Sequence, residues 1–244
     1  MRLRFLGTGA SGGTPGTGRS RRRESSLLVQ WRETAVLIDV TRDFEEQARD
    51  VERIDAVLLT HAHRDASGGI PQLRRWCMRH GRGPIDTYMS EPTRRSLKGR
   101  YARLDHCRLV SVAAGRPISV AGLTVSAVEV PHAREPGART FAWKLRTETG
   151  SVVYASDVAR LTRGLERFSS GASVLVLDGA MWRRRLFSHL TADEALPKVC
   201  EWEVGSIVLT QIGRTAPTHV RLERAVAALC PRARPAYDGL EMAA

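Results

Sequence analysis

Two histidines, an aspartate and a pair of glycines follow an apolar run in Leu58-Leu59-Thr60-His61-Ala62-His63-Arg64-Asp65-Ala66-Ser67-Gly68-Gly69. Residues two apart point to different faces of a helix, but at the end of a strand or in the loop beyond it they can converge. Two neutral imidazoles and a carboxylate are donors that a borderline divalent cation such as zinc accepts, and glycines let the backbone turn tightly around such a centre. The same residues would also suit a polar loop without a ligand, so the motif needs partners elsewhere in the chain.

Downstream, His132 follows Pro131, and Asp157 ends Ala155-Ser156-Asp157 after an expected strand. With His61, His63 and Asp65 these blocks resemble the metallo-beta-lactamase-fold hydrolases, whose signature is His-x-His-x-Asp-His, a distant His, a bridging Asp and a last His. Two positions depart from that pattern. Ala66 stands in place of the last residue of the first motif, and Gln211 stands where the last His is expected, after the strand Ser206 to Thr210. The opening Phe5-Leu6-Gly7-Thr8-Gly9 and the closing Tyr237-Asp238-Gly239-Leu240-Glu241 are similar to the branch containing the cyclic phosphodiesterase of phosphonate breakdown and the tRNA 3′-processing nucleases. That branch often carries a cysteine-rich zinc loop near its N-terminus, whereas Ser11 to Arg23, rich in glycine, serine and arginine and read as a surface loop, contains no cysteine.

The resemblance implies that His61, His63, His132 and Asp157 hold one zinc-like ion, with water activated at neutral pH as the nucleophile. It also implies a second pocket around Asp65, Asp157 and the two departed positions. Without the imidazoles, that pocket would hold manganese or magnesium only weakly. Asp65, which the resemblance places among the metal residues, is then free to act as general base, and Asp39 is implied as an acceptor that orients a ligating imidazole. Ser188-His189-Leu190-Thr191-Ala192-Asp193-Glu194 reads as a capping box, with Thr191 as N-cap and Glu194 reaching back. A histidine beside a helix N-terminus sits where an anion is favoured, and in the branch this position resembles the general acid or phosphate contact, which makes His189 the second catalytic candidate. Arg183, Arg184 and Arg185 could bind phosphate or form a solvated loop. His80, His106 and His219 are read as surface residues.

The 244 residues, 42% of them hydrophobic, suit one domain spanning 1–244 with a sizeable core. Apolar runs fall short of a membrane span and the first residues are too glycine-rich for a secretory signal, so a cytoplasmic protein without a membrane partner is expected. Cys77, Cys107, Cys200 and Cys230 lie far apart and are expected to be reduced and mostly buried. A net charge of +12 would steer polyanions, and a nucleic-acid partner stays open on that ground. Only three of the 38 basic residues are lysines, and such an arginine bias can equally come from genome composition. A homodimer is compatible with the sequence, which does not define the oligomeric state.

Positioning these groups requires strands that end at the motifs. Arg2–Leu6, Ser26–Gln30, Ala35–Val40, Ala56–Leu59, Ile85–Met89, Phe141–Arg146, Ser151–Ala155 and Ala172–Leu177 read as strands, with short strands between Arg108 and Val130. Phe44–Arg53, Ile70–Arg79 and Pro92–Gly99 read as helices. Strands followed by helices in both halves, with the candidate donors at strand ends, predict an α/β fold: a four-layer αββα sandwich of two mixed sheets packed face to face, helices outside. The activity expected is metal-dependent hydrolysis of a small cyclic or nucleotide-type phosphodiester. A catalytically silent ligand- or nucleic-acid-binding protein on the same fold, or a thioester or lactone hydrolase, are the alternatives. A tRNA-processing role is disfavoured because no long glycine-rich insertion is present to form the arm those nucleases carry.

Overall fold

The computed structural model describes residues 1–132 and 137–244. One mixed sheet is built from β1 (Arg2–Gly7), β2 (Ser26–Trp31), β3 (Thr34–Ile38), β4 (Ala56–Leu58), β5 (Ile85–Met89) and β6 (Cys107–Ser111). A second contains β7 (Ile118–Val120), β8 (Leu123–Val130), β9 (Thr140–Arg146), β10 (Ser151–Ala155), β11 (Ala172–Asp178), β12 (Val204–Thr210) and β13 (Ala233–Pro235). The last strand, β14 (Glu241–Ala243), returns to the first sheet. The spatial orders are β14-β1-β2-β3-β4-β5-β6 and β13-β12-β11-β10-β9-β8-β7, seven strands each among the described residues. Runs β3 to β6 and β10 to β13 are parallel, and the rest pair antiparallel.

Both faces of the central strands are covered, and the two-residue period of the strand sorts their side chains. Val36, Ile38, Ala56 and Leu58 face inward with Val125, Trp143, Val152, Tyr154 and Val176, filling the space between the sheets. Their neighbours Leu37, Val57 and Leu59 turn outward against Phe44, Leu73, Trp76 and Leu97. On the far side Val153, Leu175, Leu177 and Ile207 meet Leu196, Val199, Leu222 and Val226. The predicted four layers are therefore present.

The helices are α1 (Phe44–Gln47), α2 (Arg64–Ser67), α3 (Ile70–Arg79), α4 (Glu91–Arg100), α5 (Arg163–Ser169), α6 (Ala192–Val199) and α7 (His219–Leu229). Ser90 caps α4 by accepting the Thr93 amide at 3.3 Å, and Pro92 sits in the first turn, where no N–H is needed. The helix expected from Phe44 to Arg53 is a single turn, since only Phe44, Gln47, Ala48 and Val51 have core to bury against. Thr191 makes no side-chain cap, because Glu194 pairs with Arg185 instead of reaching back; the predicted capping box does not form. The chain's first and last strands pair, and the Met1 amino group donates to the Ala244 carbonyl at 3.0 Å.

Four expectations about side chains are corrected. Cys200 and Cys230 form a disulfide: α6 and α7 pack together and their C-caps bring the two Cα atoms to 5.6 Å, while Cys77 and Cys107 stay free and buried. His106 is buried, with Nε2 against the Ile70 carbonyl at 2.9 Å. His219 is buried too, its Nδ1 accepting from Arg22 at 3.0 Å. Arg22, in what reads as a surface loop, is itself buried and donates to Thr8 and the Ala236 carbonyl, pinning that loop to the core. His80 does cap α3 at the surface, stacked on Trp76.

Candidate metal centre

The parallel strands of both sheets end on one edge of the sandwich, and the donor residues lie just past those ends. Asp39 follows β3, His61 and His63 follow β4, Asp157 follows β10, Asp178 ends β11 and Gln211 follows β12. His132 lies two residues beyond β8, which runs in the same direction as β10 because each pairs antiparallel with β9. Gly68 and Gly69 adopt ordinary negative φ, so the turn after the motif does not require them for their torsions. A Cβ on Gly69 would lie 2.0 Å from the Thr41 carbonyl; close packing of the motif loop is what demands the glycine.

His61, His63 and His132 offer ring nitrogens that all lie within 4.8 Å of one another. His132, Asp157 and His189 form a second such group, so the sequence-predicted acid candidate also sits at ligand distance. His132 Nε2 is 3.4 Å from His63 Nδ1 and 3.7 Å from Asp157 Oδ1. Asp65 stands farther out, its Oδ1 3.9 Å from His61 Nε2.

Hydrogen bonds at the rear of His61 and His132 fix which nitrogen of each faces the centre. The Thr60 hydroxyl donates to Asp39 (3.0 Å to either oxygen) and so can only accept at 2.9 Å from His61 Nδ1–H, leaving the His61 Nε2 lone pair forward. Asp39 therefore orients the imidazole through Thr60 rather than directly, a relay that the sequence reading lacked. His132 Nδ1–H donates to the Ser188 carbonyl at 2.8 Å, again leaving Nε2 forward. Among the described residues, His61 Nε2 is fully buried and has no hydrogen-bond partner. A buried nitrogen lone pair beside two more imidazoles and a carboxylate is a donor set awaiting a cation, and the residues fit a borderline divalent metal.

Gln211 occupies the place of the missing last histidine. Its side-chain N–H2 donates to Asp157 Oδ1 at 2.8 Å and to Asp65 Oδ2 at 3.4 Å, spanning both carboxylates. The residue has φ of 57°, and its backbone N–H donates to Ser25 Oγ at 2.7 Å. Asp39, with φ of 63°, is the other non-glycine residue of the site in the left-handed region; such torsions persist where surrounding structure enforces them.

Electrostatics separate the acids and bases. Burial pushes His61 down to about 3, against the pull of Asp157, so it is neutral and ready to ligate. Burial raises Asp65 to about 6, with Asp157 and Glu24 adding to the shift. Asp157 is buried more deeply still, yet His61, His132 and His189 hold it down at about 2. His189 would be lowered by burial, but Asp178, whose Oδ2 lies 2.7 Å from Nδ1, raises it to about 9 with help from Asp157 and Asp65. Asp178 was not singled out from the sequence; the available signal was its place at the end of a buried strand, the same as that of Asp157. Arg183, Arg184 and Arg185 are exposed, and Arg185 is paired with Glu194.

Residues 34–229 match the family model described as a beta-lactamase superfamily domain. The chain belongs to this superfamily. The fold is that of hydrolytic metalloenzymes, and among solved structures the chain is similar to a diphosphatase from the PhnP family (TM-score 0.87, 25% identity, 100% of this chain and 97% of that one). It is also similar to Zn(2+)-bound PqqB from Methylobacterium extorquens (TM-score 0.84, 20% identity, 100% of both chains) and to the short form of human tRNase Z (TM-score 0.73, 17% identity, 100% and 99%). These last two likenesses concern the fold. A curated relative, an octanoyltransferase of Porphyromonas gingivalis, is 28% identical over 264 aligned positions, covering 99% of this chain and 51% of that protein. This superfamily member thus spans about half the length of that relative. Thr8 Oγ1 and the Arg23 amide donate to Asp238 at 2.8 and 2.7 Å, so the opening and closing motifs that resemble the phosphodiesterase branch clasp each other.

Proposed function

We propose that the protein is a metal-dependent hydrolase of a small cyclic or nucleotide-type phosphodiester. The observation that carries this reading is the convergence of His61, His63, His132 and Asp157 around the unpartnered His61 Nε2, with His189 held beside them by Asp178. Similarity to a PhnP-family diphosphatase supports phosphorus over carbon as the electrophile.

In this reading His61, His63, His132 and Asp157 hold one divalent ion, with zinc first among the candidates. Such an ion supplies Lewis acidity and makes water nucleophilic near neutral pH. Asp65, poised near neutrality by burial, takes the proton that the attacking water gives up. His189 faces the same centre as an imidazolium backed by Asp178, and it donates its Nε2 proton to the leaving oxygen or holds the phosphoryl oxygen as charge develops. A bound dication would lower His189 from about 9 toward the working range of a general acid. Gln211 places a neutral donor between Asp65 and Asp157 where a second cation would sit, which favours a single tight ion over a pair; manganese or magnesium would enter that second position only weakly.

The test is elemental analysis of freshly purified protein together with turnover of bis(p-nitrophenyl) phosphate. Near-stoichiometric metal and hydrolysis, both lost in His63→Ala, are expected. A protein that refuses zinc and manganese yet binds nucleotide or RNA would instead be a silent binding module on this fold. The octanoyltransferase relative favours one second reading, hydrolysis of an acyl thioester by the same centre, and an octanoyl thioester beside the phosphodiester in the assay separates the two. Activity in the cytoplasm on a small-molecule partner, as one domain, belongs to the same proposal; among the described residues no helix is long and apolar enough to cross a membrane.

A further inference from the structure

His61 and His63 flank Ala62 in a loop whose main-chain carbonyls are held from three directions. From the second sheet, Trp143 donates through Nε1 to the Leu59 carbonyl at 3.2 Å, and the Phe141 N–H donates to the Thr60 carbonyl at 2.9 Å. From α2, the Ser67 hydroxyl is shared between the Ala62 and His63 carbonyls at 3.0 and 2.9 Å, and the Ser67 N–H donates to the His63 carbonyl at 2.9 Å. From α4, its last residue, Arg100, donates through Nη1 to the Ala62 carbonyl at 2.7 Å and to Ser67 Oγ at 3.2 Å. Tyr101, the C-cap of that helix, donates from its hydroxyl to the Ser67 carbonyl at 2.9 Å.

The contact from the end of α4 differs from the others in its source. Ser67 and Trp143 are buried parts of the core, whereas Arg100 is an exposed residue. Core packing does not oblige its guanidinium to reach back to Ala62, 38 positions earlier in the chain. An ionised donor also makes a stronger hydrogen bond to a carbonyl than a neutral one does. The Ala62 peptide is the hinge between the two imidazoles: turning it swings the Cα–Cβ directions of His61 and His63 against each other. Their rings stand nearly perpendicular, at 83°, with centroids 4.6 Å apart. Two donors set by one peptide lose their common focus when that peptide moves.

We infer that Arg100 is a positioning residue of the metal centre. It bonds to the peptide between two donors rather than to a donor, and by gripping the Ala62 carbonyl it fixes the spacing and mutual angle at which His61 and His63 present themselves to one ion. The inference rests on the metal-centre reading given above. It predicts an effect opposite in sign to simple electrostatics. Removing a positive charge near the centre would by itself strengthen binding of a dication, whereas losing the support of the ligand loop weakens it.

The test is zinc affinity, measured by competition with a chromophoric chelator on protein stripped of metal and reloaded. Arg100→Met, which keeps the apolar stem, is expected to bind zinc about tenfold more weakly than wild type. Arg100→Lys, whose ammonium can still donate to a carbonyl, should recover most of that loss. Arg95→Met, which removes an exposed charge from the same helix, should bind at least as tightly as wild type. Cobalt-loaded protein supplies a second readout: its visible absorption bands report ligand geometry, and they should change in Arg100→Met and return in Arg100→Lys. Wild-type or tighter affinity in Arg100→Met, with an unchanged cobalt spectrum, overturns the inference. A weakening that comes with a lowered urea midpoint of the metal-free protein, and that lysine does not restore, marks a merely structural role and overturns it as well. If wild type takes up neither zinc nor cobalt, the metal-centre reading has failed and the inference falls with it; a wild type that binds beside an Arg100→Met that binds alike strikes the inference alone.

Discussion

At the scale of single residues, the pairing of His189 with Asp178 is the feature that most directly sets a pH dependence. His189 must carry its proton to serve as an acid, so activity falls as pH rises through its pKa, and Asp178 holds that pKa above the ordinary value. Asp178→Asn is expected to shift the alkaline limb of the kcat/KM profile to lower pH while metal content is retained. An unmoved limb would separate His189 from the rate. Gln211 makes a second residue-scale prediction. Its amide spans two carboxylates that a cation would otherwise share. Ala66→His with Gln211→His should therefore raise bound zinc from about one ion per chain toward two, read by elemental analysis. Wild-type protein already holding two would refute the role given to the amide.

At the scale of elements, α6 and α7 are tied at their C-termini by Cys200 and Cys230. Closing a loop of this span constrains the unfolded chain by roughly 3–4 kcal/mol. Reductant, or Cys200→Ala with Cys230→Ala, should lower the urea midpoint by a corresponding amount, and an unchanged midpoint would argue against the bond in solution. His219, at the start of α7, gives a prediction with the opposite chemistry. Burial and the nearby Arg22 depress its pKa below the ordinary value, so it contributes stability above that value and loses it as pH falls. Relative to His219→Asn, the wild type should lose more stability between about pH 8 and about pH 5, measured by denaturant titration. Neither pair of partners was readable from the sequence. Cys200 and Cys230 form no motif, and His219 meets Arg22 only after 197 positions of chain fold back. Local signals fared better. The strand runs read as ending at Leu59, Ala155 and Leu177, and the apolar spacing of Ile70, Leu73, Trp76 and Cys77, describe elements that the structure contains with bounds within one residue. The same division holds at the metal centre. His61, His63, His132 and Asp157 come together as the motif order implied, while Thr60 and Asp178 hold imidazoles from behind through contacts that no spacing rule encodes.

At the scale of the molecule, a net charge of +12 is unevenly spent. Much of the surface carries paired arginines, whose net contribution to stability is small. One consequence concerns how the chain is threaded. β14 covers the outer edge of β1, with Arg2, Leu3 and Arg4 opposite Ala243, Met242 and Glu241. Removing Glu241 to Ala244 should therefore bare the backbone N–H and C=O groups of β1 and promote edge-to-edge association, read as concentration-dependent growth in light scattering; a variant that stays monodisperse would refute this.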